Sequence, residues 1–300
     1  MTAFTLAHLS DPHLAPLPQP SLRDLMSQRV LGYLNWRRNR HLRHSRKVAD
    51  ALLADIRTQA PDHIAVTGDL VNIALDAEFR VALDWMRHVG PPHDVSLVPG
   101  NHDAYVSSVF PRGIALWSDY MRGDGTSDNA PLTFPYLRRR GPLLLIGTST
   151  AIPTAPFMAT GTLGQPQLEA LDRMLAQHVS ADGCRVLLIH HPLHSKRRHK
   201  RLTDAPALRT VLRRHGVELI LHGHDHKHSL MWFDGPRGQI PAVGVPSASA
   251  VIDGKHDPAA YNLFRIVRES DAWRCDWTVR GYQDGRNGVS ELHTQRLIGA

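Results

Sequence analysis

The sequence predicts an α/β protein, and three observations support this fold class. Short apolar runs, typical of buried strands, alternate with segments whose apolar residues recur every three or four positions, as in amphipathic helices. Several apolar runs end abruptly in groups of Asp, Asn and His, as expected where strands reach the ligand-binding edge of an open α/β sheet. Alternation of this kind is typical of sheets covered by helices.

Each predicted element follows from these patterns. The apolar runs that end in polar groups predict strands over residues 4–9, 63–67, 95–99, 185–189 and 218–221. Helical spacing predicts helices around residues 48–56, 79–86, 165–175 and 205–214. From about residue 239 the pattern becomes strand-like, in QIPAVGVPSAS, YNLFRIVRES and WRCDWTVRGY, and predicts a second, more antiparallel sheet region. Because no repeat or linker divides the chain, we expect a single domain over residues 1–300.

Composition excludes several classes of protein. The two cysteines, Cys184 and Cys275, are too few for a disulfide framework or a thiolate zinc site. Since no apolar stretch approaches the roughly 20 residues that span a bilayer and no secretory signal is present, we expect a cytoplasmic protein, with peripheral membrane contact as an alternative. The net charge of +7 favours anionic partners without choosing among nucleic acid, nucleotide, phospholipid headgroup and membrane surface.

Five polar groups carry the chemistry, and each follows an apolar run. Taken singly, each group has an ordinary explanation as a turn, a helix cap or a core histidine. Their occurrence in one order at five strand ends favours a metal site instead. Carboxylate, amide and imidazole ligands without thiolate suit Mn, Fe, Zn or Co. The groups are Asp11-Pro12-His13, Gly68-Asp69, Gly100-Asn101-His102-Asp103, His190-His191-Pro192 and Gly223-His224-Asp225-His226.

In this order the groups closely resemble the calcineurin-like metallophosphoesterase family, over residues 11 to 226. The resemblance is to the branch that contains class III cyclic-nucleotide phosphodiesterases and glycerophosphodiesterases. Asn72 and Asp103 count against a protein Ser/Thr phosphatase, in which the second motif continues to an Asp-Arg pair and the third ends in Glu. The resemblance implies a four-layer αββα sandwich of two mixed sheets flanked by helices.

The resemblance also implies a two-metal centre. Asp11, His13 and His226 would hold one metal, Asn101, His190 and His224 would hold the other, and Asp69 would bridge the two. His102 would be the catalytic histidine that faces the substrate and, if protonated, donates to the leaving group. Two such metals, about 3.5–4 Å apart, can clamp phosphate oxygens and activate one water. Further candidates for substrate contacts are Asn72, His191, His194 and Arg197.

The segment of residues 14–47 lies outside the family pattern. Its apolar residues predict an amphipathic helix, and a basic stretch follows from Arg37 to Lys47. We expect a lid packed on the core, an element that contacts an anionic membrane or lipid through residues 22–47, or one that receives a lipid substrate. The apolar residues on the predicted helical stripe are Leu22, Leu25, Met26, Val30, Tyr33 and Leu34.

Three functions remain open. The motifs favour a phosphodiesterase whose anionic substrate is a cyclic nucleotide or a glycerophosphodiester. The basic segment favours a nucleotide-lipid pyrophosphatase of the UDP-diacylglucosamine type at a membrane surface, although such family members typically have Arg where this chain has His102. The charge of +7 is compatible with a nuclease, but the basic and aromatic interleaving of a strand-binding groove is missing. Nothing in the residues determines the oligomeric state.

Overall fold

Two six-stranded mixed sheets form the centre of the protein, as seen in a computed structural model that describes residues 3–26, 29–179, 183–270, 272–283 and 288–299. The strands are β1 (Phe4–Leu9), β2 (His63–Val66), β3 (Val95–Leu97), β4 (Tyr136–Arg140), β5 (Leu143–Gly147), β6 (Cys184–Leu188), β7 (Leu219–His222), β8 (Ser229–Gly235), β9 (Gly238–Gly244), β10 (Ala260–Glu269), β11 (Ala272–Gln283) and β12 (Gly288–Ile298).

The first sheet has the order β12-β11-β10-β1-β2-β3. Strands β1, β2 and β3 are parallel, whereas β10, β11 and β12 are antiparallel neighbours. The strand-rich, antiparallel character predicted from about residue 239 is present in β10, β11 and β12, but these strands belong to the first sheet and do not form a second sheet region. Strand β10 pairs directly with β1, from Phe4 opposite Ile266 to His8 opposite Asn262, so the antiparallel strands extend the sheet that contains the N-terminal strand.

The second sheet has the order β4-β5-β6-β7-β9-β8. Its four inner strands are parallel, and the edge strands β4 and β8 are antiparallel to their neighbours. Strands β6 and β7 therefore end at the same edge, as β1, β2 and β3 do in the first sheet.

Seven α-helices accompany the sheets in the described part of the chain, and four of them match the predicted helices. In α6 and α7 a proline stands in the first turn, where the missing N–H is not needed by the helix. The helices are α1 (Leu22–Leu25), α2 (Arg29–Arg38), α3 (Arg46–Gln59), α4 (Asp76–Val89), α5 (Phe110–Ala115), α6 (Gln165–Gln177) and α7 (Ala205–His215). Among the described residues no helix is both long and apolar enough to span a membrane.

Alternating side chains of the strands define the layers. Leu219 and Leu221 of β7 belong to a core cluster that includes residues of both sheets and of α3 and α4. Ile220, between them, packs in a separate cluster with residues of α6 and α7. Since successive strand residues point to opposite faces, the sheets lie face to face with helices outside, which confirms the four-layer sandwich.

The segment of residues 14–47 differs from the single amphipathic helix that was predicted. Helices α1 and α2 are separate, and Leu22 and Met26 are 85% and 86% exposed. Tyr33 and Trp36 pack instead against a small cluster that includes Ile73. After α2 the chain makes a 3₁₀ turn over Arg40–Leu42 and returns to the sheets.

Candidate metal centre

All seven predicted ligands lie at one edge of the two sheets. Backbone hydrogen bonds hold the loops together, since Asp11 N donates to Gly68 O (2.9 Å) and Gly223 N donates to His190 O (3.1 Å). Because the parallel strands of both sheets end at this edge, residues from five loops converge there. Asp11 and His13 follow β1, Asp69 follows β2, Asn101 follows β3, His190 follows β6, and His224 and His226 follow β7.

Five of these residues have a left-handed backbone, with φ of 52° at Asp11, 36° at His13, 57° at Asp69, 71° at His224 and 53° at His226. Asp11 and His13 therefore do not continue the extended conformation of β1, which ends at Leu9. Left-handed conformations of residues other than glycine cost about 1–3 kcal/mol each and concentrate at functional sites. Contacts elsewhere in the fold must compensate this conformational cost at five of the candidate ligands.

A first cluster contains Asp11, His13, Asp69 and His226, and one ligand atom of each residue lies within 4.8 Å of the others. His226 Nε2 lies 3.2 Å from Asp11 Oδ1 and 3.2 Å from His13 Nε2. His13 Nε2 lies 3.7 Å from Asp69 Oδ2. All but His226 are fully buried.

A second cluster contains Asp69, His190 and His224 within the same distance of one another. His190 Nε2 lies 3.4 Å from Asp69 Oδ2 and 3.2 Å from Asn101 Oδ1. His224 Nδ1 lies 2.8 Å from the same Asn101 oxygen. Asp69 is thus common to both clusters.

Backbone carbonyls orient three of the histidines. His13 Nδ1 donates to Val71 O (3.1 Å), His190 Nδ1 to Thr67 O (2.6 Å), and His224 Nε2 to Lys200 O (3.0 Å). In a neutral imidazole the other ring nitrogen then carries a lone pair, and in all three rings that nitrogen faces the clusters. This arrangement of a second partner behind each imidazole is typical of metal-binding histidines.

Charge reinforces this arrangement. Burial lowers the pKa of His13 and of His224 well below the usual range of histidine, so both rings are neutral at pH 7. Although burial opposes its charge, neighbouring His190 and His102 keep the pKa of Asp69 well below the usual range. Against the effect of burial, the Asp69 carboxylate raises the pKa of His190 to about 9. A metal that binds both groups must therefore displace a proton from His190.

The donor set fits a pair of transition metals. Asp11 Oδ1 is fully buried and lacks a hydrogen-bond donor among the described residues, while Oδ2 accepts from His224 N (3.0 Å). Lone pairs of neutral rings and of carbonyl oxygens face one another at about hydrogen-bond distance, as in the 2.8 Å contact between His224 Nδ1 and Asn101 Oδ1. A cation at each cluster would turn this repulsion into attraction, and two carboxylates, one amide and four imidazoles are suitable ligands.

The Asp103 carboxylate connects two of the loops that carry candidate ligands. It accepts from Asp69 N (2.9 Å), Leu70 N (2.9 Å), Val71 N (3.2 Å) and Gly100 N (2.8 Å). Burial and then the Asp69 charge raise the pKa of Asp103, against the amide hydrogen bonds that favour its ionised form. The carboxylate thus ties the loop after β2 to the loop after β3, a role that the motif itself did not reveal.

A cavity of about 520 Å³ opens beside the clusters. His102 and Asn72 lie in its wall, and His102 Nδ1 donates to Asn72 O (2.7 Å). Burial and then the charge of Arg40 lower the pKa of His102 to about 3, which favours the neutral ring over the protonated ring expected for a proton donor. Other residues in the wall are Trp36, Ile73, Tyr105, Phe157 and Lys200.

The remaining substrate candidates do not line this cavity, although the ring centroid of His191 lies 4.2 Å from that of His224. His191 is buried and has both ring nitrogens engaged, by Thr150 Oγ1 (2.7 Å) and by Ala159 O (3.1 Å). His194 and Arg197 are exposed and line a different cleft of about 250 Å³. Of the four candidates, only Asn72 lies in the wall of the cavity beside the clusters.

Two residues of the segment 14–47 reach the centre although the motifs did not indicate them. A ring nitrogen of His44 lies within 4.8 Å of ring nitrogens of His13 and His226, and the guanidinium of Arg40 contacts His102. His44 follows no predicted strand, and in sequence Arg40 looks like the arginines around it. The antiparallel bridge between His44 and Ala250 brings the segment back to the site, and Ser45 N donates to Ser249 O beside it (2.9 Å).

Solved structures with the same fold include the purple acid phosphatase PPD1 from seeds of yellow lupin (Lupinus luteus). It matches 98% of this chain and 53% of its own length, with 13% identity and a TM-score of 0.62. The 5′-nucleotidase precursor of Thermus thermophilus matches 99% of this chain and 54% of its own, with 15% identity and a TM-score of 0.50. This chain thus spans about half the length of each enzyme, and at this identity the likeness concerns the fold.

Sequence comparison gives a closer assignment. A probable cyclic nucleotide phosphodiesterase of Synechococcus sp. (strain ATCC 27144) is 24% identical over 278 residues, which cover 90% of each chain. Residues 4–228, which include both clusters, match the family described as calcineurin-like phosphoesterase. The chain therefore belongs to the calcineurin-like phosphoesterase family and is a metal-dependent phosphoester hydrolase.

Proposed function

We propose that this enzyme is a dinuclear phosphodiesterase acting on a small phosphodiester such as a cyclic nucleotide or a glycerophosphodiester. The observation that supports this most directly is that Asp69 belongs to two ligand clusters beside a cavity of about 520 Å³. Paired cations that share one carboxylate suit the hydrolysis of an anionic ester, which otherwise repels hydroxide. The name of the cyanobacterial relative points to the same substrate class.

In this proposal Asp11, His13 and His226 would hold one metal, and Asp69 would be shared with the second. Asn101, His190 and His224 complete the second half of the centre. Bound Mn, Fe, Zn or Co would polarise the phosphoryl oxygens and lower the pKa of a water molecule. The neutral imidazoles and the ionised Asp69 are already in the protonation states that such binding requires, and His190 would release its proton.

The cavity wall then positions the substrate. His102 is fixed on both sides, since its backbone N donates to Asp69 Oδ1 (2.7 Å) and its Nδ1 donates to Asn72 O (2.7 Å). Nε2 is the ring nitrogen that can meet a substrate oxygen. With Nε2 protonated, His102 would donate to the ester oxygen that leaves, and its ring position depends on Asn72.

Two substitutions test the assignment. Asp69→Ala should abolish Mn²⁺-dependent hydrolysis of bis(p-nitrophenyl) phosphate, because both clusters lose a ligand, whereas Asp84→Ala, on the surface of α4, should retain activity. His102→Ala should lower turnover while both metals remain bound, measured as metal content per chain. Full activity of Asp69→Ala would refute the bridging role, and loss of a metal from His102→Ala would make His102 a ligand.

A substrate screen decides the substrate class. With Mn²⁺ present, turnover is compared on 3′,5′-cyclic AMP, bis(p-nitrophenyl) phosphate, UDP-diacylglucosamine and single-stranded DNA. The proposal expects hydrolysis of the two small diesters. Preference for single-stranded DNA would make the enzyme a nuclease.

One observation favours a second candidate, a nucleotide-lipid pyrophosphatase. Phe157, in the cavity wall, is 85% exposed, and Leu22 and Met26 of the segment 14–47 are equally exposed. Exposed apolar side chains in a segment that also carries the exposed Arg37 and Arg38 are suited to an anionic lipid surface. An acyl chain of the substrate could then lie along this part of the cavity.

Co-sedimentation with anionic liposomes tests this candidate. Binding that is lost in the double variant Arg37→Gln and Arg38→Gln would support it. The matched control is Arg173→Gln with Arg213→Gln, which removes the same charge from the exposed faces of α6 and α7. Equal loss of binding in both double variants would mean that net charge alone attracts the liposomes.

A further inference from the structure

Arg40 is the one arginine of the basic stretch whose guanidinium reaches the candidate site. It begins the 3₁₀ turn Arg40–Leu42 and is half-buried, whereas Arg37, Arg38 and Arg43 are exposed. Its Nη2 lies 2.7 Å from His102 Nε2, and its Nη1 lies 3.2 Å from His102 Nδ1. Arg40 also lines the cavity beside the clusters, together with Asn101 and Lys200.

The position of Arg40 is fixed by the backbone around it. Arg43 N and His44 N donate to Arg40 O (2.9 and 3.1 Å), which closes the turn. At Ser45, five residues after Arg40, the chain is hydrogen-bonded to the loop after β9, since Ser45 N donates to Ser249 O (2.9 Å). These hydrogen bonds fix the turn in place, and the turn holds the guanidinium in the cavity.

The charge of Arg40 is not neutralised by a direct ion pair. Among the residues that the structure describes, no carboxylate lies within ion-pair distance of its guanidinium. A cation removed from water is costly unless an anion or suitable acceptors compensate it. His102 supplies only ring nitrogens, one of which already donates to Asn72 O. The planar guanidinium, with parallel N–H groups, matches two oxygens of a phosphate group.

We propose that Arg40 is a substrate-binding residue of this enzyme, whose guanidinium binds non-bridging oxygens of the scissile phosphoryl group. This inference rests on the proposed function. Without substrate, the guanidinium donates a hydrogen bond to His102 Nε2. When the phosphoryl group enters, the Arg40 guanidinium donates to phosphate oxygens instead, and Nε2 no longer accepts from it. The segment 14–47 is then a part of the catalytic site that the family motifs do not contain.

The experiment measures binding of inorganic phosphate to the Mn²⁺-loaded protein by calorimetry, with metal content determined on the same samples. Arg40→Gln should weaken phosphate binding at least tenfold while both metals stay bound. Arg40→Lys keeps the charge but loses the parallel N–H groups, so its phosphate affinity should lie between those of Arg40→Gln and the wild type. Arg43→Gln, which removes an exposed charge three residues away, should bind phosphate as the wild type does.

Chemical rescue adds a second measurement. In Arg40→Ala the cavity gains room, and millimolar guanidinium should restore part of the phosphate affinity, whereas equal concentrations of tetramethylammonium should not. Phosphate affinity within twofold of the wild type in both Arg40→Gln and Arg40→Lys would overturn the proposal. Loss of metal from both variants would also overturn it, because Arg40 would then support the metal centre instead.

The outcomes separate this proposal from the proposed function. If the wild type hydrolyses no diester in the substrate screen but Arg40→Gln still loses phosphate binding, the phosphodiesterase assignment fails and the role of Arg40 stands. If diesters are hydrolysed and phosphate binding does not depend on Arg40, only the role of Arg40 fails.

Discussion

The strongest test of how the centre is built is removal of the charge at Asp103. In Asp103→Asn the side chain keeps one acceptor oxygen, and its NH₂ group faces backbone donors. The native carboxylate accepts four backbone N–H groups, at 2.8 to 3.2 Å. The amide oxygen can serve about two of them, so about two buried donors lose their partner.

The size of the effect follows from this count. A hydrogen bond to a charged group contributes about 1.5–3 kcal/mol, and a buried donor without a partner is costly. Two such losses give an expected destabilisation of about 3–6 kcal/mol. The loops that carry Asp69 and Asn101 are the ones released, so we also expect metal binding to weaken at least tenfold.

Urea denaturation at pH 8 in EDTA measures the first effect without any contribution from metal. Calorimetric titration with Mn²⁺ measures the second. Asp84→Asn is the matched control, because the side chain of Asp84 is 67% exposed and pairs with Arg87 of the same helix. If metal-free Asp103→Asn unfolds within 1 kcal/mol of the wild type, the four amide contacts do not hold the loops as described.

Three further predictions concern other parts of the fold. Burial lowers the pKa of His63 to about 3, whereas a histidine in the unfolded chain has a pKa of about 6.5. The folded protein therefore loses stability as the pH falls below the pKa of the unfolded chain. Between pH 7.5 and 5.5 the wild type should lose about 1.4 kcal/mol more than His63→Gln in urea titrations with EDTA, and equal losses would contradict the assignment. A Cβ at Gly223 would overlap Ser10 Oγ and Asp11 Oδ2, so Gly223→Ala should weaken metal binding at least tenfold in chelator competition, and unchanged affinity would be the refuting result. The guanidinium of Arg138 donates to Pro92 O (2.9 Å) and Val95 O (2.7 Å), so Arg138→Met should destabilise the protein by about 3 kcal/mol with unchanged metal affinity, and a loss below 1 kcal/mol would speak against it.

The strands that precede the candidate ligands were predictable from local patterns. Each is a short apolar run followed by a polar group, as in FTLAHL before Ser10 and Asp11. Position along the strand also distinguishes His63 from the candidate ligand His190. His63 begins its strand and so lies at the edge of its sheet opposite to the candidate site. The pairing of β10 with β1 was not predictable in this way, because no local pattern records which distant strand lies alongside.

The residues that the sequence did not indicate share a physical reason. His44 and Arg40 lie at the site because their turn is hydrogen-bonded to residues about 200 positions later, and nothing in the segment itself records that contact. The left-handed backbone of Asp11 and His13 is likewise imposed by the loops around them rather than by the preferences of Asp and His. Local periodicity predicts elements well, but it does not predict conformations that tertiary contacts enforce.

The place of β1 in the first sheet has a consequence for how the chain folds. This strand has β2 on one side and β10 on the other, so one neighbour comes from residues 63–66 and the other from residues 260–269. During synthesis β1 can pair with β2 early, but its other edge stays open until most of the chain has left the ribosome. Since closing so long a loop is slow, we expect folding to be limited by the docking of β10, with an open strand edge available for aggregation until then.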